Sequence, residues 1–514
     1  MNSSAYNSSL TNVGGGRAIL LFLLFALALY MFFHAGFSMF AIVCLIPVIV
    51  IITIITLKKP LFIFWTLTCI NYLVQWKNFP STGIPMSMYN EGMELLLLAL
   101  AIINIKEIKS ERILNLMFLA LTVWCTFCTL ELLNDSCNLG IQFGAWYTGA
   151  RAMAFQLMYA FLVFSLYISN PNVLVKYLML WAALSLFAAF WVWKQQQFGF
   201  TDEESIFING RGRSTHIINA GTTIRYFSVM SDAANFGVNM AATAVAFIIF
   251  AITSKIKKYR IVFLITGLAC LWATFPSGTR TATFCFFAGI ATYVVLSKSF
   301  KIAIPVAIVF ALAYFILAFT TIGNSNASVR RMRSGFNKND ASMGARADNQ
   351  KVMKKHLAEA PWGIGIGMGM DNVPANNKWR RMATIPPDSE YMFIWIRTGR
   401  IGMTLFIITT ALMFCGACWI VLFKLKSKSL RGIGAGFCCA FVSLQLGGYA
   451  NQVLMQFPNC LLFYGGLSMV YGLPLYEKEW IEHEEKLLAA QAEKKRMKEE
   501  KRKNSRVKTW LTWK

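Results

Sequence analysis

The stretch AANFGVNMAATAVAFIIFAIT, residues 233–253, carries no charged side chain. It is followed by SKIKKYR, residues 254–260, and then by a second apolar run, IVFLITGLACLWATF, residues 261–275. A membrane helix needs about 20 apolar residues, so the passage reads as two spans joined by a short basic connection. Working outward, the same alternation fills the chain from Ala18 to Leu475. Apolar runs near 18–33, 36–57, 61–76, 88–105, 113–133, 152–169, 177–193, 233–253, 261–275, 281–297, 302–321, 392–423, 432–450 and 460–475 are the candidate helices. The fold class expected is an all-α polytopic membrane protein with about 12–14 transmembrane helices. Arg397, Thr398, Gly399 and Arg400 interrupt the 392–423 run, and its span is expected to start near Ile401.

Composition agrees. Of 514 residues, 56% are hydrophobic and 14% charged, with a mean hydropathy of +0.52; a soluble domain carries roughly 25% charged residues. Ordinary cytoplasmic enzymes and DNA-binding proteins are excluded. The net charge of +25 points to positive-inside loops, anionic lipid and phosphate-bearing substrates rather than to nucleic acid.

Alternate connections differ in charge. One set holds Lys58 and Lys59; Lys106, Lys109 and Arg112; Lys176; Lys255, Lys257, Lys258 and Arg260; Lys298 and Lys301; and Lys424, Lys426, Lys428 and Arg431. The opposite short loops hold little beyond Lys77, Arg151 and Arg280. The basic set is therefore expected to be cytoplasmic. The organisation expected is a single transmembrane domain, 1–475, with extracytoplasmic loops 194–232 and 322–391, the long one carrying short helices, and a basic cytoplasmic helical tail, 476–514. The polar start MNSSAYNSSLTNVGGGR reads as an uncleaved signal anchor. The tail reads as a solvated helix or as a surface helix on anionic lipid, with Trp510 and Trp513 at the interface.

Most cysteines lie within apolar runs and read as packing residues, and the four histidines are scattered singly, so no metal site and no cofactor are expected. Ionisable groups inside a bilayer are usually functional. Here the mid-span positions are nearly empty of charge, with Glu91, Glu94 and Glu131 near the outer helix ends. Polar density gathers in the two outer loops and in the turn Pro276-Ser277-Gly278-Thr279-Arg280. The long loop holds Arg330, Arg331 and Arg333, then Arg346, then PWGIGIGMGM from Pro361 to Met370. Without a strand before it or Lys-Ser/Thr after it, this glycine run reads as a tight turn rather than a nucleotide cradle.

The loop closes with Pro386-Pro387-Asp388-Ser389-Glu390-Tyr391 and then MFIWIRTGRIGM. Ser389, nine residues, Gly399, two residues and Gly402 resemble the signature of the O-antigen ligase and O-antigen polymerase superfamily, in which a His and an Asn, Ser or Gln precede the same spacing. Three other segments agree. Arg225 in TTIRYFSVMSDAANFG resembles the family's outer-loop arginine, PSGTR ending at Arg280 resembles its Ser-x-Ser-Arg turn, and Arg346 ahead of APWGIGIGMG resembles its Arg, then Pro-x-Gly-x-Gly, pattern. Asp388 stands where the family has His. Either the aspartate serves as base, or the site has lost that function, or His356 is recruited; a carboxylate is a suitable base for a sugar hydroxyl. Asp388 and Ser389 also read as a helix N-cap before Glu390.

The resemblance implies a metal-independent inverting glycosyltransferase in a bacterial inner membrane with its active site extracytoplasmic. Such an enzyme moves a glycan from an undecaprenyl-diphosphate carrier to an acceptor hydroxyl, on a lipid A core in ligases or on another lipid-linked repeat in polymerases. Membrane lipids and polysaccharide-export proteins are the other partners it implies. Arginine suits the diphosphate because its fork makes bidentate, charge-assisted bonds. Arg225 and Arg280 are read as catalytic cations with Asp388 as base, and Arg346, Arg330, Arg331, Ser389 and Glu390 as substrate contacts. The competing reading is a lipid-linked glycan flippase or other polytopic transporter.

Overall fold

The computed structural model describes residues 58–79, 86–104, 108–218, 223–297, 341–384 and 389–511, with scattered positions between 19 and 33 and between 304 and 333, and Lys106. Contacts divide the chain into two compact units, Met1–Trp65 and Thr66–Lys514. In the first, the described positions between 19 and 33 are helical. The candidate site lies wholly in the second.

Helices α1 (Leu61–Leu73), α2 (Met86–Ile103) and α3 (Leu116–Leu130) are followed by α4 (Phe143–Ala150), which runs through a π turn into α5 (Gln156–Tyr167). Then come α6 (Pro171–Phe198), the short α7 (Asp202–Asn209), a two-residue bridge of β1 (Ile217–Ile218) with β2 (Thr223–Ile224), α8 (Ala233–Thr253), α9 (Lys257–Thr274) and α10 (Arg280–Ser297). The long loop contributes α11 (Ala341–Leu357) and α12 (Arg380–Thr384), and the chain ends in α13 (Glu390–Trp419), α14 (Lys428–Ala450), α15 (Gly465–Gly472) and the tail helix α16 (Glu477–Leu511). Asn115, Asn170, Asp232 and Ser427 cap α3, α6, α8 and α14 by accepting hydrogen bonds from backbone amides of the first turn, and Pro171 occupies the first helical position of α6.

Among the described residues seven helical segments are long and apolar enough to cross a membrane: Leu116–Leu133, Phe143–Tyr167, Pro171–Phe198, Ala233–Thr253, Arg280–Ser297, Glu390–Lys424 and Lys428–Ala450. The chain is an all-α polytopic membrane protein. The expected spans at 61–76, 88–105, 261–275 and 460–475 are helical but are not among these seven, and those at 18–33, 36–57 and 302–321 lie largely outside the described residues. The interruption expected in the 392–423 run is present: α13 consists of two helical stretches joined across a kink at Gly399, with φ 64° and ψ −164°.

α8 is the hub. Of its best span window, 89% is buried inside the protein, against α9, α10 and α14. Its alanines, from Ala233 to Ala251, let neighbours approach closely, which matters because lipid tails are as apolar as Leu and packing must supply the cohesion. α9 shows the opposite division. Ile261, Leu264, Ile265 and Leu268, at helical spacing, are exposed as a lipid-facing stripe, while Phe263, Gly267, Cys270 and Ala273 turn inward.

The polar connections collect at two ends of the bundle. At one, Arg112 donates to Ser169 O and Lys255 meets Glu484 of the tail helix. At the other, 21 residues of α8 away, lie the Arg225 segment, the 276–280 turn, the start of α13 and the 451–459 connection.

Candidate functional site

The second loop folds around its own small core, in which Ile208, Phe227 and Ala233 are buried with Phe200, Phe207 and Ile217 against them. This core carries Arg225 to the 276–280 turn. The Tyr226 amide donates to Pro276 O at 3.1 Å. The Arg225 guanidinium then grips the turn: Nε donates to Ser277 O at 3.3 Å, Nη2 to Thr279 Oγ1 at 2.9 Å and Nη1 to Thr215 O at 3.0 Å. The hydroxyls shape the turn from within. Ser277 Oγ donates to Thr274 O and accepts from the Thr279 amide, and Thr279 Oγ1 donates to Ala233 O at the start of α8. Arg280 follows as the first residue of α10. The positive end of a helix dipole adds to its charge there.

His216 fastens this arrangement. Its Nε2 accepts from the Ala233 amide at 3.2 Å, and Nδ1 stands 2.9 Å from Gly212 O, which fixes a neutral ring with the proton on Nδ1. Burial holds the imidazole pKa below its ordinary value, against the opposing pull of the Gly212 carbonyl and Asp232. Lys77 approaches from the first connection, donating to Ser231 O at 3.2 Å with its Nζ 4.0 Å from the Phe207 ring centroid. Burial lowers its pKa too, with Asp232 opposing.

The long loop builds a second core against the first half of α13, with Met353, Leu357, Ile364, Trp379, Met392 and Ile396 among its buried members. The helix break makes the junction. With Gly399 at positive φ, the carbonyls of Ile396 and Arg397 accept from the amides of Ile364 and Gly365, and the Ile401 amide donates to Pro361 O. A Cβ on Gly399 would lie 2.0 Å from Pro361 O, so only glycine fits. The run 361–370 is a backbone clasp, with Gly363, Gly365 and Gly367 all at positive φ.

Ser389 occupies the N-cap position of α13 but makes no cap bond; its Oγ donates to Gly448 O at 3.1 Å. Glu390 is buried and accepts from the Leu454 amide at 3.0 Å, which ties α13 to the 451–459 connection. That connection reaches back to α8. Asn239 donates to Asn459 Oδ1 at 2.7 Å, Asn459 donates to Asn235, Asn235 donates to Phe457 O at 3.0 Å, and Ser231 donates to Gln456. A buried chain of neutral polar groups therefore joins the start of α13 to the segment beside Arg225.

The structure thus brings Arg225 onto the turn that ends at Arg280, and Ser389 and Glu390 to the same end of the bundle. It does not bring Arg330 there: Arg330 is exposed and its Nη1 donates to Asn324 O and Ser325 O within its own loop. Arg331 and Asp388 lie outside the described residues, and Arg346 falls in α11 with its side chain outside them. Sequence reading passed over Arg397, taken only as an interruption of an apolar run; a cation beside a glycine inside a span was the available signal. It also passed over Asn235, Asn239 and Asn459, which look unremarkable inside apolar sequence.

The family model described as O-antigen ligase matches residues 261–407. That segment runs from α9 past the Gly399 break and takes in the 276–280 turn, the long loop and Asp388, whereas Arg225 precedes it. No curated protein matches the chain. Over residues 261–407, less than a third of its length, the chain is therefore similar to the O-antigen ligase family.

Proposed function

We propose that the protein transfers a glycan from an undecaprenyl-diphosphate carrier to an acceptor sugar hydroxyl, with inversion and without a metal, at the outer face of the bacterial inner membrane. The observation that carries this reading is the grip of Arg225 on the turn that presents Arg280, at a helix start within the segment shared with O-antigen ligases. In this scheme the two guanidinium groups and the α10 dipole bind the diphosphate and stabilise the charge that develops as it leaves. Asp388 removes the acceptor proton. Inverting transfer is a single displacement, so one base suffices and no enzyme nucleophile is required. Ser389 and Glu390, bonded to Gly448 and Leu454, act as positioning residues that set the chain direction beside Asp388. Arg330, Arg331 and Arg346 offer further cations for the glycan or its carrier.

Glycan transfer in a deletion strain complemented by Arg280→Lys tests this. Lysine keeps the charge and loses the fork, so transfer should fall by about 10²-fold with protein level unchanged. Normal transfer by both Arg225→Lys and Arg280→Lys would refute diphosphate recognition by these residues. In the deletion strain, single lipid-linked repeats identify a polymerase, and full-length unattached chains identify a ligase.

A further inference from the structure

Beside the break in α13 lies a cavity of about 450 Å³ whose lining includes Arg397, Phe393, Thr148, Gly149, Gly367 and Met455. Its size falls within the roughly 300–1,000 Å³ of small-molecule sites. Arg397 is the one charged residue among its described lining. The guanidinium carbon lies 5.2 Å from the Phe393 ring centroid, and Nη1 is buried with no hydrogen-bond partner among the described residues. No carboxylate pairs with it among those residues. Leaving a charged donor buried and unpaired costs more than leaving a neutral one so, and a Met would fill a similar volume without that penalty.

The scaffold around it is rigid. Arg397 O is fixed by the Gly365 amide, so the side chain leaves a knuckle that cannot turn freely. Gly149 packs closely on the 361–370 clasp, since a Cβ there would lie 2.6 Å from Ile366 Cγ2 and 2.7 Å from the Gly367 amide nitrogen. The remaining lining is mostly apolar, with Thr148 exposed at the mouth. A half-buried guanidinium with one buried, unbonded nitrogen and no anion beside it among the described residues, set in a mostly apolar pocket of this size, is complementary to a small ligand that brings its own negative charge.

We propose that this cavity binds an oxyanion, carboxylate or phosphate, carried by a sugar-sized ligand, with Arg397 as its anchor. The site is distinct from the Arg225 and Arg280 turn. It rests on the glycan-transfer reading only for the source of the ligand, an acidic sugar or a sugar phosphate, and its test does not require transfer.

The full chain in zwitterionic nanodiscs is assayed for equilibrium binding of radiolabelled glucuronate, glucose 1-phosphate and glucose. The anionic probes should bind saturably and glucose should not. Arg397→Gln should weaken anion binding at least about tenfold, the loss of one charged hydrogen-bonding group, and Arg397→Lys should fall between. Thr148→Trp, which obstructs the exposed mouth and leaves Arg397 in place, should also weaken it. If Arg397→Gln does not yield monodisperse protein, the Arg397→Lys and Thr148→Trp variants decide. Preference for glucuronate identifies an acidic sugar as the source, and preference for glucose 1-phosphate a phosphorylated one. Equal anion binding by wild type and variants, or glucose binding as tightly as glucuronate, overturns the proposal. Arg280→Lys should keep this Arg397-dependent binding whatever it does to transfer, so the two readings can fail separately.

Discussion

The two ends of the bundle handle positive charge differently. At the tail end, acidic groups of α16 meet the basic connections: Lys255 Nζ lies 2.8 Å from Glu484 Oε2, and Glu477 Oε1 accepts from the Lys426 and Ser427 amides at 2.7 Å each. At the opposite end, the described bonds of Arg225 go to two carbonyls and a hydroxyl, and Arg397 lies against a phenyl ring. Ion pairs occur there as well, between Arg151 and Glu91 and between Lys378 and Glu359. A cation paired with a carboxylate is spent on structure. One set against an aromatic ring without a carboxylate partner among the described residues, as Arg397 is, keeps its field for a ligand.

The strongest way to break this contrast is to remove the carboxylate read as the base at the site end. Asp388→Asn preserves shape and capping capacity while removing basicity, so glycan transfer should fall by roughly 10²–10⁴ in rate with normal protein level, and Asp388→His should retain more activity than Asp388→Asn. Full activity in Asp388→Asn would move attention to His356, and the opposite end would then owe its function to cations alone.

Next in size is a substitution that opens the clasp under Arg397. Gly399→Ala places a methyl 2.0 Å from Pro361 O at a φ of +64°, so backbone strain of about 1–3 kcal/mol adds to overpacking of similar size. Its melting temperature in detergent should drop by several degrees or the protein should fail to accumulate. Gly92, with open space around it, is the control, since Ala there should be neutral or slightly stabilising. A fully stable Gly399→Ala protein would mean that the break is not a fixed knuckle, and the case for a preorganised Arg397 would fall with it.

How much of this was legible in the sequence follows from what each signal encodes. Hydropathy marks spans because a helix crossing lipid must be predominantly apolar and free of exposed charge, so α8 was readable to the residue at 233–253. The α13 break was readable in its position, from Arg397, Thr398, Gly399 and Arg400, but not in its form: the chain is helical on both sides of Gly399 because the Pro361–Gly365 backbone takes over the bonds that Gly399 interrupts. The electropositive pair was half readable. Motif spacing singled out Arg225 and Arg280, but the bonds that tie Arg225 to the turn before Arg280 span 52 and 54 positions and run to a serine carbonyl and a threonine hydroxyl, neither of which leaves a mark in sequence. The asparagine chain from Asn235 to Asn459 crosses 224 positions, and single polar residues in apolar helices do not announce their partners.

Acidity should loosen the site end before the tail end. The ordinary histidine pKa is about 6.5, and burial depresses that of His216 in the folded protein. The stability it contributes is therefore fully present above about pH 6.5 and declines as pH falls below that value, because protonation sets a second donor at Nε2 against the Ala233 amide. Thermal unfolding between pH 7.5 and 5.5 should show this loss, at about 1 kcal/mol per unit of pH. His216→Gln should flatten the dependence. An unchanged slope in that variant would show that other groups control acid sensitivity.

The smallest effect is expected at the tail end, from the Lys255–Glu484 pair. Lys255 is 50% exposed at its side chain and Glu484 only 4%. Water and salt screen the lysine, and holding its long side chain costs entropy, so a coupling of about 0–1 kcal/mol is expected. A double-mutant cycle with Lys255→Met and Glu484→Gln, read by thermal unfolding at low and high salt, measures it. Lys255→Met alone should cost more than Glu484→Gln, because it strands a buried carboxylate, whereas the glutamine leaves a lysine free to reach solvent. The coupling should shrink with added salt. A salt-insensitive coupling of several kcal/mol would mean that the tail helix locks this end as firmly as the Gly399 clasp fixes the other, and the contrast between a structural end and a ligand-binding end would have to rest on chemistry alone.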